Sequence, residues 1–187
     1  MKRLLTISLS LILTITLTAP AVAQSKDDGV LRILAIGNSF SDDGTEYLPA
    51  LLENLDVNNV EVARLYVGGC TLESHMKFYD NEEAAYLFYN SKAGENKWHK
   101  CDEKVTMQYA LAMGEWDIIT MQQASGFSGK YDSYTPHLGR LIDVVKSAQP
   151  NAKLVWHMTW SYSTESKHKH FPYYDSNQAK MDNAILD

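Results

Sequence analysis

Cysteine is scarce in these 187 residues: Cys70 and Cys101 are the only two. Two cysteines build no disulfide framework, and their spacing fits no metal site. They leave open a single bridge, chemically possible in an exported chain, or a pair of free thiols, which we favour. Any block of Lys and Arg is also missing. With 17 basic against 23 acidic residues and a net charge of −6, the chain is a poor partner for nucleic acid or another polyanion. The N-terminal apolar run, Leu4–Thr18, falls short of the ~20 residues a membrane-spanning helix needs. Internal repeats, low-complexity tracts and linkers are absent too, which argues against several domains.

The N-terminus has the plan of an export signal. Lys2 and Arg3 precede the apolar run, and small residues at Ala21 and Ala23 precede Gln24. This predicts a signal peptide over residues 1–23, cut after Ala23. No cysteine stands near the cut, which argues against a lipid anchor. The mature chain, residues 24–187, is expected to be one soluble domain, periplasmic or secreted, with no membrane partner and of undetermined oligomeric state. Loss of Lys2 and Arg3 makes it more acidic still.

Short apolar runs alternate with helical patterns. Val30–Ile36 is almost continuously apolar and stops at Gly37, as in a strand buried on both faces. Tyr47–Leu55 has apolar residues at helical spacing, with Pro49 tolerable in the first turn. Val60–Val67 reads as a second strand ending at Gly68 and Gly69. Thr71 caps a short helix through Met76. Ala85–Asn90 and Lys97–Cys101 pair as a hairpin. A helix over Val105–Met113 leads to a strand at Asp117–Met121. The polar loop Gln122–Thr135 follows, then an amphipathic helix over His137–Ala148, a fourth strand at Lys153–Met158, and a last helix from about Ser176. Alternation of this kind predicts an α/β domain: a parallel sheet covered by helices on both faces, in three layers.

Ligands of such sheets bind outside the carboxyl ends of the strands. Those ends carry Asn38 and Ser39, then Gly68, Gly69, Cys70 and Thr71, then Gln122, Gln123 and Ser125, then Thr159, Trp160 and Ser161. A hydroxyl, glycine N–H groups and carboxamides along one edge suit acyl transfer. A serine attacks the carbonyl while fixed donors stabilise the oxyanion. Asp42 and Asp43 follow the serine turn and are read as caps for the next helix. Being adjacent, they do not form the paired carboxylates of a glycosidase, which lie ~5 Å apart across a cleft.

On these residues the sequence resembles the SGNH (GDSL-type) hydrolases, in an exported branch. Ile36 to Ser41 is similar to their first block, although Asn38 stands where Asp is usual. Gly69 is similar to the glycine of their second block. Trp116 to Met121 resembles the strand before their third block, where Gln122 and Gln123 replace the usual Gly-x-Asn-Asp. Trp156 to Trp160 adds to the likeness. The resemblance implies the SGNH fold, with Ser39 as nucleophile, Gly69 N–H and Gln122 as oxyanion donors, Gln123 as a second candidate donor, and no cofactor or metal. It also implies a small-molecule or carbohydrate ester as substrate, with a carbohydrate O-acetyl group as first expectation.

The family takes its base from an Asp-x-x-His block near the C-terminus, and this chain contains none. Measured against the family, the last strand, last helix and catalytic His are missing before Asp187. The resemblance therefore implies a fragment or a truncated gene, expected to fold poorly or aggregate. His168, or His170 beside it, is the internal candidate for a base, against the solvated-loop reading that we favour. A metal at these two lacks a supporting carboxylate or cysteine. His157 is read as a hydrogen-bonded core residue, and His75, His99 and His137 have no evident partner. Tyr131, Tyr134, Trp160, Tyr162, Tyr173 and Tyr174 either stack on sugar rings or form a small satellite core. The competing function is a non-catalytic carbohydrate-binding or interaction protein on the same scaffold. A flavodoxin-like nucleotide binder is disfavoured because the first loop lacks a glycine-rich phosphate cradle.

Overall fold

In the computed structural model, which describes residues 28–95 and 97–187, the central strand is β1, Leu31–Gly37. Its residues Leu34, Ala35 and Ile36 are at most 1% exposed, as the nearly continuous apolar run requires of a strand with neighbours on both sides. It pairs in parallel with β2, Val60–Tyr66, and with β5, Ile118–Met121. β6, Lys153–Trp156, continues the sheet beyond β5, also in parallel. The predicted signal peptide lies outside the described residues.

Parallel neighbours need crossovers, and helices supply them. α1, Ser39–Thr45, and α2, Leu48–Asn54, lie between β1 and β2 in the chain. α3, Leu72–Asp80, and α4, Met107–Ala112, precede β5, and α5, His137–Ala148, joins β5 to β6. The strand period of two sorts β2 between the faces. Ala63 and Leu65 enter the main core with Met76 of α3 and Leu141 and Val145 of α5, while Arg64 between them turns to Asp42 of α1. α6, Gln178–Leu186, begins at Asn177, whose side chain accepts the Lys180 N–H.

The hairpin expected near residues 85–101 forms, and it does more than pair with itself. β3, Leu87–Ser91, runs antiparallel to both β2 and β4, His99–Lys100. The sheet therefore has six strands in the order β4-β3-β2-β1-β5-β6, mixed rather than wholly parallel. The reason is local: after α3 the chain comes straight back along β2 with no crossover, so it can only run antiparallel. Cys70 and Cys101 are free, the first buried and the second half-buried. Burial pushes the Cys70 thiol up to about 12. Phe171, Tyr174 and Met181 form a second small core with Tyr162, Ala184 and Ile185.

Candidate active site

Where β1 ends, the backbone of Asn38 stays extended and its side chain turns back to accept the Phe40 N–H at 3.2 Å, capping α1. Ser39 is thereby the first residue of a helix and is exposed. Asn38 is 1% exposed. Its Nδ2 donates to the Cys70 carbonyl at 3.0 Å, and its Oδ1 also accepts from Gln122 Nε2 at 2.6 Å. Gln122 Oε1 in turn accepts from Ser41 Oγ. Two interlocked carboxamides thus tie together the loops after β1, β2 and β5. Gly37 permits the approach, since a Cβ there would lie 2.6 Å from Gln122 Oε1 and 2.8 Å from its Cδ.

The loop after β2 is pinned to the same place. Val67 N–H donates to the Gly37 carbonyl at 3.2 Å, and Cys70 N–H to the Val67 carbonyl at 3.2 Å. Between them Gly69 has φ +64°, a left-handed conformation that favours glycine. Nothing lies within 4 Å of where its Cβ would be, so its backbone faces open space. Thr71 then caps α3 by accepting the Ser74 N–H at 3.1 Å.

Gln122 and Gln123 are both 1% exposed and turned inward. Gln123 Oε1 accepts from Leu72 N–H at 3.1 Å and Ala124 N–H at 2.8 Å, and its Nε2 donates to Ser133. Neither amide presents a donor to the surface beside Ser39, contrary to the expectation for both. A buried carboxamide must satisfy both its ends, and here neighbouring loops supply the partners. The caps also differ from expectation: Asn38 caps α1, whereas Asp42 pairs with Arg64. Arg64 is 5% exposed, with its guanidinium 4.0 Å from the Trp98 ring centroid and 4.8 Å from that of Tyr89. Trp98 also donates from Nε1 to the Glu46 carbonyl, just past α1, at 2.9 Å.

Among the described residues no imidazole is hydrogen-bonded to Ser39. The His168 ring lies 4.4 Å from that of Tyr162 and 5.2 Å from that of His170, and His170 packs on Phe127 and Tyr173. Those contacts place His168 with the second core rather than on Ser39. His157 follows β6 and lies over Gly44, its Cε1 3.0 Å from where a Cβ would sit. Burial lowers its pKa. The aromatic loop divides between its two readings: Phe171 and Tyr174 are core, whereas Tyr131 and Tyr173 stay exposed. Trp160, 52% exposed, packs at a tilt against Phe40, the residue after Ser39, with ring centroids 4.2 Å apart.

Sequence reasoning missed Ser41, Phe40 and the Arg64–Trp98 pair. A readable signal existed for Arg64, because a charge inside an apolar strand must find a partner. The helix at Ser39–Thr45 was hidden by Asp42, Asp43 and Gly44, which are weak helix formers.

Residues 32–187 match the family model of DUF4886, a domain of unknown function. The crystal structure of a DUF4886 family protein from Bacteroides uniformis is 36% identical, with a TM-score of 0.79, covering 84% of this chain and 61% of that one. This chain therefore spans about three-fifths of that protein's length. A protein from Slackia heliotrinireducens, provisionally described as an SGNH hydrolase, is 22% identical with a TM-score of 0.52, covering 84% of this chain and 70% of that one. That second likeness is distant and concerns the fold alone. No curated protein matched.

Proposed function

The chain belongs to the DUF4886 family, and from the geometry above we propose that it is built as an ester hydrolase with Ser39 as nucleophile. The observation that carries the reading is the exposed Ser39 at the head of α1, on a turn that buried carboxamides lock to the loops after β2 and β5. A serine whose backbone is fixed at the carboxyl end of the central strand is placed for attack. Support also comes from the hydrolase-like scaffold shared with the Slackia protein.

In this mechanism Ser39 Oγ adds to the ester carbonyl, its proton passes to a base, and the alcohol leaves from the tetrahedral intermediate. Water then releases the acyl group from Ser39. Gly69 N–H and the Ser39 N–H serve as oxyanion donors. Asn38 and Gln122 act as positioning residues, through hydrogen bonds that fix those backbones. Among the described residues no imidazole is hydrogen-bonded to Ser39, so the base is engaged only when substrate is bound. Trp160, half exposed and packed on Phe40 beside the nucleophile, favours a substrate with a flat face to cover, such as a carbohydrate O-acyl ester. Export to the periplasm or beyond, proposed from the N-terminal sequence, suits that substrate.

The unaccompanied Ser39 hydroxyl favours a second reading, a carbohydrate-binding protein without catalysis. Labelling with a fluorophosphonate probe separates the two. The 187-residue chain, any longer natural form of it, and each with Ser39→Ala would be treated alike. Labelling that vanishes with Ser39→Ala is the expected result. If every form stays unlabelled, the hydrolase reading fails and the binding reading stands.

A further inference from the structure

We propose that the loop after β6 carries a subsite for a uronate-bearing oligosaccharide, with Tyr173 stacked on His170 as the sugar platform and Lys167 and Lys169 as cations for its carboxylates. The proposal rests on the ester-hydrolase reading only for what happens at the loop's other end, where Trp160 packs on Phe40 beside Ser39.

The small core beneath this loop is made by Phe171, Tyr174 and Met181, and it does not need Tyr173. That ring lies 5.1 Å from the His170 ring at an interplanar angle of 15°, and the residue is 49% exposed. Phe127 also meets the Tyr173 ring at a tilt, with centroids 6.0 Å apart, and about half of the residue stays open to solvent. His170 is backed by Phe127, with ring centroids 4.9 Å apart.

The platform is held in place. His170 presses on Gly126, where a Cβ would fall 2.6 Å from its Cβ and Cγ. Lys130 Nζ donates to the Tyr173 carbonyl at 2.6 Å, and Tyr174 OH donates to the Gly126 carbonyl at 3.2 Å. His168 lies on Tyr162, whose hydroxyl meets Ser125 Oγ at 2.8 Å. Rigid aromatic surfaces lose little entropy when a ligand settles on them, which is what a sugar-stacking site requires.

The charge is local and sparse. Lys167 and Lys169 are exposed, and neither makes an ion pair among the described residues. Of the acids in the same segment, Asp175 is taken by Lys180 at 2.6 Å, leaving Glu165. Two exposed cations on the segment that leads into an aromatic stack suit carboxylates spaced along a sugar chain. The net charge of −6 opposes a ligand with the charge density of nucleic acid.

The test is calorimetric titration of the chain, carrying Ser39→Ala to prevent turnover, with a galacturonate oligomer, the neutral galactose oligomer of equal length, and an oligothymidylate. Galacturonate is expected to bind about tenfold more tightly than the neutral oligomer. Adding Tyr173→Ala should weaken binding about tenfold, and Tyr173→Phe should retain it. Lys167→Ala with Lys169→Ala should reduce galacturonate to the level of the neutral sugar. Absent galacturonate binding, equal affinity for the neutral oligomer, indifference to Tyr173→Ala, or tighter oligothymidylate binding would each overturn the proposal. Because binding is read without turnover, it stands or falls separately from fluorophosphonate labelling of Ser39.

Discussion

Gln122 bonds to two buried partners. Its Nε2 donates to Asn38 Oδ1 and its Oε1 accepts from Ser41 Oγ, with 1% of the residue exposed. Gln122→Ala removes the acceptor for a buried hydroxyl and one donor to a buried carboxamide. Leaving the Ser41 hydroxyl without its acceptor, and Asn38 with one bond fewer, costs roughly 2 kcal/mol. For a domain of this size that lowers the melting temperature by about 4–8 °C, readable by circular dichroism. Fluorophosphonate labelling of Ser39 should slow as well, because Asn38 loses one of its ties. An unchanged melt would show that water or a rearranged loop takes over these bonds. The sequence made the polar residues at the strand ends visible and put Ser39, Gly69 and Gln122 on one edge. It did not show which way each amide turns. A carboxamide is donor and acceptor at once, and packing from other loops decides which neighbour each end meets.

α1 is short, and its hold on the sheet comes from residues far off in sequence. Arg64 of β2 pairs with Asp42, while Trp98 covers the guanidinium and bonds to Glu46 at the helix end. The turn that presents Ser39 is thus clamped from below by β2 and from the side by the β3–β4 hairpin. Asp42→Asn strands a buried guanidinium without its counter-charge. The side chain of Asp42 is 40% exposed, so solvent screens much of the loss, and about 1 kcal/mol is expected. Hydrogen exchange is the sharper readout: amides of residues 39–46 should exchange faster while those of β1 keep their protection. Equal exchange in both proteins would mean that Trp98 alone secures the helix. Most elements could be read from the sequence because each repeats its own period, as with α5 and the apolar strands β1 and β5. The clamp could not, since it joins residues 22 to 52 positions apart whose pairing only the sheet order creates. The antiparallel edge was hidden for the same reason: a hairpin pattern shows that two segments pair, not which third strand they join.

The fold as a whole carries a neutral histidine at its centre. His75 on α3 is fully buried, with Nδ1 2.9 Å from the Tyr86 hydroxyl and Nε2 without a partner. Burial pushes its pKa from the ordinary 6.5 down to about 4. The unfolded chain, with an ordinary histidine, takes up a proton as pH falls below 6.5, and the folded chain does not until about pH 4. Within that window the unfolded state binds more protons, so stability is present above the window and drains away as pH falls through it. One such group sets a slope of at most about 1.4 kcal/mol per pH unit. Burial also lowers the pKa values of His157 and His170, helped at His170 by His168 and Lys169. Their contributions have the same sign and are weakened by exposure to solvent. His75→Gln can keep a hydrogen bond to Tyr86 and cannot titrate. Urea midpoints measured between pH 7 and pH 4 should therefore fall less steeply in the variant than in the parent, without becoming flat. Parallel curves would place the acid sensitivity elsewhere than at His75.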